Sequence, residues 1–229
     1  LSKSTFPEGE VFDIDRVTPS LIRHGLFRLG DMNPDSIRYI SDMPEGNKVY
    51  ISFISEGLKN YQLISKLLNA SLAYEEKAVF KFFFIYQIIE LLIDDIYKCE
   101  QQVLIDELIK VNGDSGKTKD VLSKMQEFMS EKKRLSYLVD KYTGVKSDLH
   151  QLKKYCNELL VILDRDEGNE FQNYFYTIRN FIFHQYRDFP NEGKSKLEEV
   201  ITEMIDLLPT ILSNYKAVEL PVIAQEKKA

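Results

Sequence analysis

From Ser55 to Tyr215 apolar residues recur at the three-to-four spacing of an α-helix, in one segment after another. The expected helices cover Glu56–Ala73, Tyr74–Cys99 continuing through Val103–Val111, Lys119–Val139, Lys146–Leu163, Asn169–Tyr186 and Lys194–Tyr215. A turn at Asn112–Gly116 and a polar connector at Asp164–Gly168 separate some of them. The segment Asn169–Tyr186 is stopped by Phe189-Pro190, because the residue before a proline avoids the helical region.

Leu1–Asn47 has a different texture. It holds Pro7, Pro19, Pro34 and Pro44, four of the seven prolines, and reads as loops with one short helix near Thr18–Leu29. Lys48–Ile54 alternates β-branched and aromatic residues as a strand does, and Val11–Ile14 is the expected partner. The fold class expected is therefore mainly α, a helical bundle with a small irregular or α+β N-terminal region. The divisions are 1–54, 55–215 and a frayed tail at 216–229.

Composition excludes several classes. Charged residues at 29% and apolar ones at 44% are the balance of a globular protein. The most apolar run, Val79–Ile93, contains Lys81, Gln87 and Glu90 and falls short of the roughly 20 residues of a membrane span. Leu1–Gly9 lacks the apolar centre of a signal peptide. Cys99 and Cys156 sit in helical patterns and are read as reduced packing residues, which makes a cytoplasmic setting the expectation. His24, His150 and His184 lie far apart, so no metal site and no cofactor is expected, and His24 and His150 are read as surface residues. Gly113–Thr118 looks like the end of a P-loop but has two residues between its glycines instead of four, so it is read as a turn.

A net charge of −6 argues against non-specific coating of nucleic acid. The charge is unevenly spread. Lys110–Lys154 holds 11 Lys and Arg against 6 Asp and Glu, which leaves the remainder at −11. Lys132-Lys133-Arg134 is the densest basic cluster; it is either a wet helix face or a guide for RNA.

Asn169–Arg187 carries the chemistry. On a helical wheel Tyr176, Arg187, Asn180, Asn173, His184 and Thr177 share an arc of about 100°. Phe181, Tyr174, Ile178, Phe171, Ile182, Phe175 and Tyr186 fill the opposite side. Carboxamides, an imidazole, a hydroxyl and an arginine replace the Lys and Glu of an ordinary wet face. Asn180 and His184 are four apart and therefore neighbours. Arg179 starts about 140° from His184, so its stem must curl across, or a second protomer must complete the site. The plainer reading is an Arg and a His that only pack. Gln87, Glu90 and Asp94 form a narrow polar stripe on an otherwise apolar helix, and Glu90 could pair with Arg179 or tune His184.

Arg179-Asn180-Phe181-Ile182-Phe183-His184 resembles the motif of HEPN ribonucleases: an Arg, often followed by a polar residue, then a His after four to six intervening residues. The run Phe82–Glu90 resembles the first core helix of such domains, and the likeness extends over roughly Ser55–Tyr215. It implies metal-independent RNA cleavage to a 2′,3′-cyclic phosphate, with Arg179 and His184 catalytic and Asn180 assisting. It also implies a homodimer with two such helices across one cleft, RNA held by Asn173, Tyr176, Arg187, Lys132, Lys133 and Arg134, and Glu90 in support. The biology implied is a bacterial toxin or anti-phage effector, with an antitoxin or regulatory protein as partner. The alternative is a catalytically silent helical module that binds a partner protein or a nucleotide.

Overall fold

The computed structural model describes residues 12–28 and 49–216, which are mainly helical and contain no strand. The expected strand at Lys48–Ile54 is absent from them, and Val11 and Lys48 lie outside the described residues. The reason lies in where the amides go. Ser52 N donates to the Ser20 hydroxyl at 3.0 Å, Ile54 N to Arg16 O at 2.8 Å, and Ser55 N to Leu212 O at 3.0 Å. Helices supply the acceptors that a neighbouring strand would have supplied. Residues 217–229, expected to fray, lie outside the described residues.

The first helix, α1 (Ile14–Arg23), begins where the Asp13 side chain accepts from Asp15 N. α2 (Tyr61–Lys66) continues into a π turn at Leu67–Ser71 and a 3-10 turn at Leu72–Tyr74. Then comes α3 (Ala78–Lys110), 33 residues and about 50 Å long. It runs unbroken through Tyr74–Cys99 and Val103–Val111, the continuation expected from sequence, but starts at Ala78. Phe82, Ile85, Tyr86, Ile88, Ile89, Leu92 and Ile96 bury one broad face of it, which makes it a central element of the core.

The segment Lys119–Val139 is two helices, not one. α4 (Ser115–Phe128), capped by Asp114 on Lys117 N, ends at Met129-Ser130, and α5 (Glu131–Tyr137) starts again before a π turn at Leu138–Tyr142. α6 (His150–Ile162), α7 (Phe171–Gln185) and α8 (Gly193–Asn214) complete the bundle. α3 packs on α4 and α8, α6 on α7 and α8, and α5 on α7.

Aromatic rings fix α7 to α3. Phe175 lies 5.5 Å from Phe82 and 5.7 Å from Tyr86 between ring centroids, and Phe183 lies 5.5 Å from Phe83 and 5.9 Å from Tyr86. Both ends of α7 thus meet the same first turns of α3. The start of α7 is set by Asn157 of α6, whose amide exchanges two hydrogen bonds with the Gly168 backbone, at 2.9 and 3.1 Å. Position 168 is glycine because a Cβ there would come within 2.6 Å of Tyr174 N.

Candidate active site on helix α7

The apolar arc of α7 is buried as the wheel requires: Phe171, Tyr174, Phe175, Ile178, Phe181 and Ile182 all enter the core. On the other side Asn173 and His184 are exposed, while Tyr176, Thr177 and Asn180 are half-buried. The Thr177 hydroxyl donates back to Asn173 O at 2.7 Å, which removes it from the set of free polar groups.

The wheel fails at its last two members. α7 ends at Gln185, and Tyr186–Asp188 forms a 3-10 turn in front of Pro190. Tyr186, assigned to the apolar arc, is 48% exposed. Arg187 leaves the stripe and lines a cavity beyond the helix end.

His184 is exposed and makes no hydrogen bond or ion pair among the described residues. Arg179 does not reach it. The guanidinium lies in a cage built by α3, α5 and α7. Its Nη2 lies 3.5 Å from Glu90 Oε1, its Nε 3.8 Å from Glu131 Oε1, and its Nη1 donates to Asn180 Oδ1 at 3.0 Å. The Phe183, Tyr86 and Tyr176 rings stand 4.7, 5.3 and 6.0 Å from its carbon centre. Only 17% of the side chain is exposed, and Nε has no hydrogen-bond partner. Two carboxylates and three ring faces thus compensate one guanidinium.

The carboxylates are themselves held. Gln87 Nε2 donates to Glu90 Oε2 at 2.5 Å, and the Tyr86 hydroxyl donates to Glu131 Oε1. Burial first, and then Glu131, push the Tyr86 phenol well above its ordinary range. It therefore stays a neutral donor. The contact between Glu90 and Arg179 is one the sequence suggested. Glu131 and Tyr86 were missed, because no spacing in the chain ties either to Arg179. Glu131 also hides among the cations that follow it.

That basic cluster does not act as one surface. Lys132 Nζ sits 5.4 Å over the Tyr176 ring beside the site. Lys133 pairs with Glu127 at 3.6 Å. Arg134 is pinned to α3 by Asp94 at 3.3 Å and the Tyr97 ring at 5.4 Å, with its Nε buried and unbonded. His24, expected on the surface, is half-buried with its Nε2 enclosed, whereas His150 is exposed.

Among the described residues no three His, Cys, Asp or Glu side chains gather as metal ligands would, and no helix is long and apolar enough to cross a membrane. What α7 offers is a solvated imidazole one turn from a carboxamide, with a restrained guanidinium behind it. Among the described residues, fold and site define a mainly helical protein with a polar helix face next to a buried ionic cage. Comparison of the chain with family models, with curated proteins and with solved structures returns no match.

Proposed function

We propose that this chain is a HEPN-type, metal-independent endoribonuclease that acts as a two-fold dimer. The observation that carries this reading is the free, exposed His184 one turn from Asn180, on a helix whose other face is locked in the core. Its imidazole can take the proton of a ribose 2′-hydroxyl. The 2′-oxygen then attacks the adjacent phosphorus and the bond to the 5′-oxygen breaks. The departing oxygen takes a proton, leaving a 2′,3′-cyclic phosphate and a 5′-hydroxyl. Asn180 would orient the imidazole or hold a phosphate oxygen. Arg179 would stabilise the phosphorane only after leaving its cage, or across the cleft toward the partner's substrate. Lys132 over Tyr176 is a cation beside the site that could hold the RNA backbone. The setting proposed is cytoplasmic, as a bacterial toxin or anti-phage effector under a regulatory partner.

One observation favours a second reading. Arg179 is already compensated by Glu90 and Glu131, as expected of a structural arginine in a catalytically silent module that binds a partner.

The deciding experiment incubates the full chain with structured and single-stranded RNA in EDTA. Cleavage to cyclic-phosphate ends, abolished by His184→Ala and reduced less by Asn180→Ala, supports the nuclease. Lys132→Gln should raise the RNA concentration needed without altering the products. Intact RNA with every candidate regulator supplied favours the silent module. Light scattering that finds a monomer at micromolar concentration removes the dimer.

A further inference from the structure

Beyond the end of α7 lies a cavity of about 580 Å³, between the turn Tyr186–Asp188, the start of α3 and the start of α8. Its size falls within the roughly 300–1,000 Å³ of small-molecule sites. Three cations line it, Lys77, Arg187 and Lys194, and none of them forms an ion pair among the described residues. Lys81, behind the same wall, is by contrast held by Glu198.

The walls are aromatic. Tyr186 is half exposed at the mouth, and Phe189 is held in place by an edge contact to Phe181 at 6.1 Å. Position 193 is glycine at the point where a Cβ would come within 3.2 Å of the Phe189 ring, so the ring can lie flat against the start of α8. Two carboxylates also line the cavity. Glu198 is bound from behind by Lys81, with 3.1 Å from Nζ to each oxygen, and its charge is compensated. Glu76 lines the wall beside Lys77.

We infer that this cavity is a nucleotide subsite: it takes one phosphorylated ribonucleotide, with the phosphate on Lys77, Arg187 and Lys194 and the base against Tyr186 and Phe189. Cations without a carboxylate partner satisfy the phosphate dianion, and aromatic faces accept any base by stacking. Tyr186 and Arg187 follow His184 by two and three residues, so a strand lying along the polar face of α7 runs directly into the cavity. The inference rests on the RNA-directed reading proposed above, but its test is of binding and does not depend on cleavage.

The ligand has two sources, a free nucleotide or the end of an RNA strand. Isothermal titration of the full chain with adenosine 5′-monophosphate, and of the His184→Ala chain with a 5′-phosphorylated RNA tetramer, separates them. Saturable binding of either supports the site and names its source. That binding should weaken about tenfold or more in the double variant Arg187→Gln, Lys194→Gln, and several-fold in Tyr186→Leu. All three positions are exposed, and circular dichroism should report unchanged helix content. The inference is overturned if neither probe binds, if the variants bind as well as the original chain, or if inorganic phosphate binds as tightly as the nucleotide. RNA cleavage with no such binding removes this subsite and leaves the nuclease reading intact. Binding without cleavage does the reverse.

Discussion

Arg179 Nη2 lies 3.5 Å from Glu90 Oε1, a contact that ties α7 to α3 across 89 residues of sequence. With Glu131 from α5 on its other side, the guanidinium is the point where three helices meet. The residue that the motif assigns to phosphorane stabilisation is therefore also a structural tie.

Removing that tie should be costly. Arg179→Ala leaves Glu90 and Glu131 partly buried without a counter-charge, which should destabilise the fold by about 2–4 kcal/mol. Arg179→Lys restores the charge but not the planar fork, and should recover only part of the loss. Glu131→Gln in the alanine background should recover some as well. Urea unfolding followed by circular dichroism reads all three; a loss below about 0.5 kcal/mol for Arg179→Ala would mean that solvent already screens the cage. Any loss of RNA cleavage in that variant has to be read against its folded fraction.

His184 and Phe181 should behave in opposite ways. Phe181 is 7% exposed, packs on Phe189 and lies under the Arg165 guanidinium at 5.4 Å. Phe181→Ala should cost about 3–5 kcal/mol, the usual range for truncating a core ring. His184 is exposed without a partner, so His184→Ala should change stability by no more than about 0.5 kcal/mol. The reverse order in thermal or urea unfolding would make His184 a packing residue.

Four phenols should govern alkaline stability. Tyr86, Tyr142, Tyr174 and Tyr215 are buried, and burial pushes each above the ordinary value of 10.0; a carboxylate raises Tyr86 and Tyr142 further. A pKa raised on folding contributes stability that is whole below the unfolded value and declines as pH rises above it. Each phenol should cost up to ~1.4 kcal/mol per pH unit above ~10. The phenolate absorbance of these four should therefore appear together with loss of helix, and not before it. Tyr142→Phe should make the alkaline transition less steep. Phenolate absorbance that saturates for all 13 tyrosines while the helix signal is intact would contradict this.

The sequence by itself determined the helices and their faces. The 3.6-residue period is a local property, and the apolar arc Phe171, Phe175, Ile178 and Ile182 could be buried only one way. The polar character of Asn173, Asn180 and His184 was legible for the same reason. Tertiary structure decided everything that depends on which elements meet. Residues 49–54 have a strand's alternation, yet their amides found helix carbonyls and a serine hydroxyl instead of a second strand. Lys132, Lys133 and Arg134 are adjacent in the chain, but successive residues of a helix are about 100° apart, so they point to α7, α4 and α3. The partners of Arg179 could not be read from spacing, because packing of α3 and α5 brings Glu90, Tyr86 and Glu131 to it from remote positions. Where the helical period held, the wheel placed side chains correctly. At Tyr186 and Arg187 a proline four and three residues ahead had already ended the helix, and both turned to line the cavity.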